Sequence, residues 1–263
     1  MQYVVYFLIA ISATTVGAIA GLSGGIIIRP VMDVLGDFNA QTISILSSIT
    51  VLSMSVVSAG KQIMQKAKIN YRIVMPLALG AAIGGICGQR ILAAAVSGIE
   101  VGGVVTVIQN SVLLVLTVLV FIYMKNRTKI KSRALSGIPL SALVGLGMGM
   151  ISAFLGIGGG PFNVALMILL FSFDIKTAAI CSIVIIFFAQ FANVSLFTLT
   201  TGFGGIDLSV LPAMVVGAIA GGFFGAVLNK KLSERAVERC YFALLMVVMA
   251  ITCANIVTHL NLV

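Results

Sequence analysis

The sequence predicts an all-α, polytopic integral membrane protein of two inverted-topology repeats. Each repeat holds about five hydrophobic segments and one glycine-loop-broken or re-entrant helix, giving 8–10 segments in total. Three observations predict this. Hydrophobic residues fill 60% of the 263 positions and charged residues only 9%, against about 25% charged in a soluble domain. A glycine-rich stretch, Gly156-Ile157-Gly158-Gly159-Gly160-Pro161-Phe162-Asn163, interrupts the apolar chain and has a weaker copy at Gly21-Leu22-Ser23-Gly24-Gly25. The basic residues sit in short blocks between apolar runs, at non-equivalent places in the two halves.

Apolar segments run approximately over 3–20, 24–36, 40–60, 73–95 and 101–124, then over 138–156, 159–172, 177–200, 208–229 and 240–258. The first repeat is therefore 1–124, the second 138–263, and a basic linker, 125–137, joins them. Residues Met1 to Ala20 carry no Lys or Arg, unlike the basic start of a cleaved signal, so they are read as part of the fold. Most segments reach the roughly 20 residues that span about 30 Å of hydrocarbon. The exceptions, 24–36 and 159–172, cover only about 20 Å as helices. Each directly follows a glycine loop.

The halves match residue by residue. Gly21, Gly24, Gly25, Met32, Phe38, Thr42, Ile45 and Ser47 recur at one constant offset as Gly156, Gly159, Gly160, Met167, Phe173, Thr177, Ile180 and Ser182. After a two-residue insertion, Gly80, Gly84, Gly85 and Gly88 match Gly217, Gly221, Gly222 and Gly225. The four-residue spacing among these makes a small, smooth face for close helix packing.

Charge gives the relative orientation. The loop with Lys61, Lys66, Lys68 and Arg72 is basic, whereas its equivalent, 196–209, has no Lys or Arg and carries Asp207. The next pair reverses this: 91–102 has only Glu100 as a counterpart to Lys230, Lys231, Arg235 and Arg239. Under the positive-inside rule, swapped charge on equivalent loops means that the repeats insert upside down relative to each other. Five crossings per repeat satisfy this, and so do three crossings plus a re-entrant pair. Both place the termini outside and leave all basic residues but Arg29 and Arg90 in cytoplasmic loops. An eight-helix parallel arrangement, with each glycine loop inside one long helix, puts 230–239 outside and ranks lower.

Non-helical backbone at membrane depth is tolerated only inside protein or beside a wet cavity. A helix restarting after such a loop offers unpaired amides and a positive dipole end, an anion site made without a charged side chain. Pro161 suits the first position of the restarting helix. The substrate-binding candidates are accordingly Gly24, Gly25, Gly158, Gly159, Gly160 and Asn163 at the loops. Ser182, Gln190 and Asn193 join them from one helix face, and Ser47 and Ser48 from the first repeat. Interhelical hydrogen bonding is the alternative role for these polar side chains. Arg29, four before Asp33, either forms a neutralised pair with it or attracts anions toward the site.

Other chemistries have little support. The net charge of +9 is spread over loop blocks, as expected at a bilayer and not on nucleic acid. Cys87, Cys181, Cys240 and Cys253 are scattered without a CxxC and read as buried small hydrophobes. With His259 as the single histidine, a metal site, a cofactor or an intramembrane enzyme is not expected.

The duplicated glycine turn, best formed at Gly156 to Asn163 and followed by Asp174-Ile-Lys-Thr177-Ala-Ala, Ser182 and Gln190, resembles the TauE/SafE family, the sulfite exporter family of membrane permeases. The resemblance covers most of the chain. The first motif departs from it at Ser23 and at Arg29-Pro30, where the second half has Val164-Ala165. The resemblance implies a multi-pass cell-membrane transporter of small anions such as sulfite or sulfonates, working without a cofactor. The expected mechanism is alternating access as the repeats rock around one anion. An anion channel and a non-transporting subunit that assists a partner are the alternatives, and a homodimer is compatible with each.

Overall fold

The computed structural model describes residues 2–67, 69–97, 102–157 and 159–260. Lys68, Glu100 and Gly158 lie outside the described residues. The helices are α1 (Gln2–Ala20), α2 (Gly25–Leu35), α3 (Ala40–Met64), α4 (Tyr71–Ser97), α5 (Gly102–Asn126), α6 (Ile138–Leu155), α7 (Pro161–Phe171), α8 (Ile175–Thr200), α9 (Leu211–Lys231) and α10 (Glu234–Leu260). All but α2 and α7 are long and apolar enough to cross a membrane. The protein is a polytopic, all-helical membrane protein, and large apolar side chains such as Leu8, Leu119, Phe224 and Met246 stand exposed on its outside. In water that would be unfavourable; against lipid it is the ordinary arrangement.

Each short helix follows a break made the same way. Gly21 and Gly156 take left-handed backbone, φ +74° and +63°. Leu22 N donates to Gly17 O and Ile157 N to Ser152 O, closing each helix end with the same wide turn. A few residues after each short helix ends, the next long helix starts on an equivalent cap. The Asn39 side chain accepts from Thr42 N at 2.8 Å, and that of Asp174 from Thr177 N at 2.9 Å. Burial opposes ionisation of Asp174, but hydrogen bonds from Thr177 and from local backbone amides outweigh it and hold the carboxyl below its usual range.

Contacts between the ends of elements give the topology. Tyr6 OH donates to Asp37 Oδ2 at 2.7 Å, and its ring meets Phe38 edge-on. The start of α1 and the end of α2 thus share one end of the bundle, and the pair forms a helical hairpin. At the other end, Arg133 N and Leu135 N donate to Leu169 O and Leu170 O. The approach to α6 therefore lies beside the end of α7, and this second pair is a hairpin too. The same end gathers the Arg127–Glu238 ion pair at 2.9 Å and Lys176 Nζ on Leu232 O at 2.8 Å. The two hairpins enter from opposite ends. In each half the structure sets three long helices beside a hairpin whose two helices share one end of the bundle.

The glycine faces pack backbone on backbone. A Cβ on Gly80, Gly84 or Gly88 of α4 would fall on a carbonyl oxygen of α6, at Ala142, Leu146 and Met150. The matching contacts bring Gly217, Gly221 and Gly225 of α9 against Phe7, Ile11 and Thr15 of α1. Residue numbers rise together in both pairs, so α4 runs parallel to α6 and α1 parallel to α9. Here the structure departs from expectation. The first hairpin packs on a helix of the second half, and the second hairpin on a helix of the first. Two halves rocking as rigid bodies would have to tear both glycine faces open.

The cysteines also differ from expectation. Cys181 is buried, but Cys87 and Cys253 are exposed. A small apolar side chain against lipid needs no protein cover, so apolar context in a membrane sequence does not imply burial within the bundle.

Candidate functional site

The hairpin tips meet inside the bundle. Ser23 Oγ lies within hydrogen-bonding distance of two carbonyl oxygens of the second loop, Ile157 O at 2.6 Å and Gly159 O. A Cβ on Gly25 would lie 2.7 Å from Ile157 O and 2.9 Å from Ser47 Oγ. A Cβ on Gly24 would press on Thr14 of α1. The loops are thus in direct contact, not separated by a space as the sequence suggested. The missing side chain at Gly25 permits that approach, and the serine that breaks the glycine pattern at position 23 fastens it.

The two helix starts differ. Gly24 has right-handed helical backbone, and Ile26, Ile27 and Ile28 donate their amides to Ser23 O, Gly24 O and Gly24 O. The first turn of α2 has therefore used amides that were expected to be free. Gly160 is extended, at φ −100° and ψ 175°, and α7 begins abruptly at Pro161. Asn163 N turns back to Gly160 O at 3.2 Å. Of the two, only the α7 start follows extended backbone. Tyr241 of α10, wholly buried, donates its hydroxyl to Pro161 O and pins this helix start from behind.

Around the second loop the nominated side chains converge in part. Gly159 has φ +128°, and a Cβ there would lie 2.5 Å from Ile186 Cγ1 of α8 and 3.6 Å from Asn163 Nδ2. Ser182 and Gln190 stand one helical turn to either side of Ile186, about 6 Å away along the axis. Asn193 Nδ2 donates to Gln190 Oε1 at 3.1 Å, and its Oδ1 abuts Gly85 of α4. Ser48 follows Ser47 on α3 and is also buried, but about 100° around the helix it does not share the Ser47 direction. The first-repeat hydroxyls and the α8 amides therefore do not surround one point. Ser182, Gln190 and Asn193 are instead spread along α8 to either side of Ile186.

Among the described residues, three of the nominated side chains carry a polar atom without a partner. Asn163 Oδ1, Ser182 Oγ and Asn193 Oδ1 are buried without a hydrogen bond, as are Gln62 Oε1 and Thr252 Oγ1 elsewhere. Their residues are 2%, 0% and 5% exposed. Leaving such a group unpaired costs about 1–3 kcal/mol.

Arg29 is buried and held at both arms. Nη1 donates to Leu155 O and Nη2 to Gln109 Oε1, each at 2.7 Å, and Gln109 Nε2 donates to Phe154 O at 2.6 Å. It is not a mobile lure for anions. The guanidinium lies against Gly156. Arg29, Asp33, Gln109, Asn110 and Ile157 line a narrow crevice with room for about one water molecule. Gln109, Asn229 and Tyr241 escape a sequence reading. Gln109 and Asn229 sit among other polar residues, Asn110-Ser111 and Lys230-Lys231, and Tyr241 opens an apolar run, so none of them stands out from its neighbours.

The sequence model of a family described as "Sulfite exporter TauE/SafE" matches residues 6–252. The chain is 25% identical over 265 residues to the "Probable membrane transporter protein YunE" of Bacillus subtilis (strain 168), covering 90% of this chain and 92% of that protein. No solved structure matches.

Proposed function

This chain belongs to the sulfite exporter TauE/SafE family of membrane transporters, and from that premise we propose that it is a secondary transporter of small organosulfur or sulfur oxyanions, such as sulfite and sulfonates. One observation carries the site. Asn163, Ser182 and Asn193, all nominated from sequence, are three of the five described residues with a buried, unpartnered polar atom, Gln62 and Thr252 being the others. A hydrated oxyanion carries what they lack: bound water donates to the amide oxygens, and the anion accepts from Ser182 Oγ–H and Asn163 Nδ2. The α7 start adds its dipole.

The transporting machinery is the pair of hairpin tips, Gly24-Gly25 against Ile157 and Gly159, with substrate passing along α8. Access alternates as α1, α3 and α9 move against α4, α6 and α8. These mixed groups keep both glycine faces closed, which movement of 1–124 against 138–263 does not. The protein sits in the cell membrane with the basic end cytoplasmic and both termini outside. The chemistry is carriage and not catalysis.

Two experiments test this. A thermal-shift series on the purified protein with sulfite, sulfate, thiosulfate, methanesulfonate and acetate is expected to raise the melting temperature with at least one sulfur oxyanion, since a ligand of the folded state stabilises it by mass action. Ser182→Ala is expected to hold or raise the ligand-free melting temperature, because it removes an unpartnered buried hydroxyl. The same change cuts the anion-induced shift. A variant that melts lower but keeps the full shift would make Ser182 a structural residue. No shift and no vesicle flux with any of these anions would overturn the transporter assignment, and conductance far above carrier rates would make it a channel.

Orientation is checked separately in a cysteine-free background. Arg72→Cys and Arg235→Cys are expected to react with an impermeant thiol reagent only from the cytoplasmic side, and Gln2→Cys only from outside. Labelling of positions 72 and 235 from opposite sides would exclude the inverted arrangement.

A further inference from the structure

The last four carbonyls of α6 are all taken, and the way they are taken is asymmetric between the halves. Ser152 O and Ala153 O accept from the amides of Ile157 and Gly156. Phe154 O accepts from the neutral amide of Gln109, and Leu155 O from the charged guanidinium of Arg29. In the other half, Ile19 O at the end of α1 accepts from Asn229 Nδ2 at 2.6 Å. The position equivalent to Arg29 there is Val164, which is wholly buried. Both broken helices thus end on a neutral amide, and α6 alone carries a full positive charge beside it.

The end of a helix carries roughly −0.5 of an elementary charge. The end of α6 is one residue from Gly156, and the loop 156–160 leads directly to Asn163. Left bare, this negative end would repel an anion at the loop. We propose that Arg29 is a tethered counter-cation: it cancels the negative α6 end behind the second loop, so that the site selects anions over neutral solutes of the same shape. Arg29 touches no substrate in this role. It is a specificity-determining residue acting through the peptide of Gly156. That glycine is required twice over, for its φ of +63° and because a Cβ would occupy the place of the guanidinium. Asp33, one turn further along α2 in the same crevice, moderates the charge. The inference rests on the anion-transport function proposed above.

Methanesulfonate and methanesulfonamide, an anion and its neutral isostere, are the probes for the test. The full-length protein in detergent is expected to bind methanesulfonate in clear preference. Arg29→Gln is expected to lower that preference at least about tenfold while methanesulfonamide affinity stays unchanged, and millimolar guanidinium is expected to restore it. Arg29→Lys is expected to keep the preference at a lower melting temperature. Asp33→Asn, which removes the neighbouring negative charge and leaves Arg29 itself unchanged, is expected to raise methanesulfonate affinity and leave the sulfonamide alone. It decides the matter even if Arg29→Gln does not fold. An unchanged preference in folded Arg29→Gln, or a fall in anion affinity in Asp33→Asn, would reduce Arg29 to a helix cap. Should the parent protein bind neither this anion nor sulfite, the transport assignment itself falls, and this inference with it.

Discussion

Gly159→Ala is expected to reduce anion flux from reconstituted vesicles by about two orders of magnitude while the protein still purifies as a folded species. Two effects add. At φ +128° an L side chain is strained, at a cost of about 1–3 kcal/mol. The new methyl also sits 2.5 Å from Ile186 Cγ1 and must push α8 away from the loop or turn the loop away from α8. Either movement shifts Asn163 relative to Ser182, and a displacement of about 1 Å in a positioning group is enough for a hundredfold loss. The site is local, so the melting temperature falls by a few degrees without collapse. Adding Ile186→Ala removes the steric part and is expected to return some of the flux. Full flux in Gly159→Ala alone would show that the loop backbone is not part of the path.

The largest effect on stability is expected at Gly84. A Cβ there falls on the carbonyl oxygen of Leu146, a backbone atom that moves only if α6 moves. Gly84→Val is expected to abolish recovery of folded protein in mild detergent. Gly84→Ala is expected to lower the melting temperature by well over the few degrees that follow from an ordinary overpacked core, about 1–3 kcal/mol. Gly147 is the internal control. It lies in α6 itself, and nothing stands within 4 Å of a Cβ built there, so Gly147→Ala should be neutral or slightly stabilising, as alanine favours helix over glycine. Equal losses in the two alanine variants, followed by melting in one detergent, would mean that backbone contact between α4 and α6 is not what holds them.

Much of this arrangement was legible in the sequence, for identifiable reasons. Segment limits follow from hydrocarbon thickness, and the breaks at Gly21 and Gly156 follow from glycine at positive φ. The inversion follows from loop charge, which the hairpin contacts at Tyr6–Asp37 and Arg133–Leu169 match in geometry. What the sequence withheld is which face of each helix meets which neighbour. The crossing helices are apolar on all sides, so no stripe marks an inner face. Arg29 on Leu155 O, Tyr241 on Pro161 O and Asn229 on Ile19 O are contacts across 80 to 210 residues. No local spacing announces them. Whether the nominated Gln190 and Asn193 reach the loop or pair with each other depends on helix rotation, and only the fold supplies that.

The exchanged packing of the hairpins has a consequence for how the chain is made. When α1 and α2 leave the ribosome, the groove on α9 that will receive them does not yet exist. The nascent first half must wait in lipid with its serine-bearing tip uncovered and the glycine face of α4 bare. Assembly therefore completes late, when α6 reaches α4 and α9 finally seats α1, and a chain stalled before residue 211 leaves a full set of inserted helices without a closed interior.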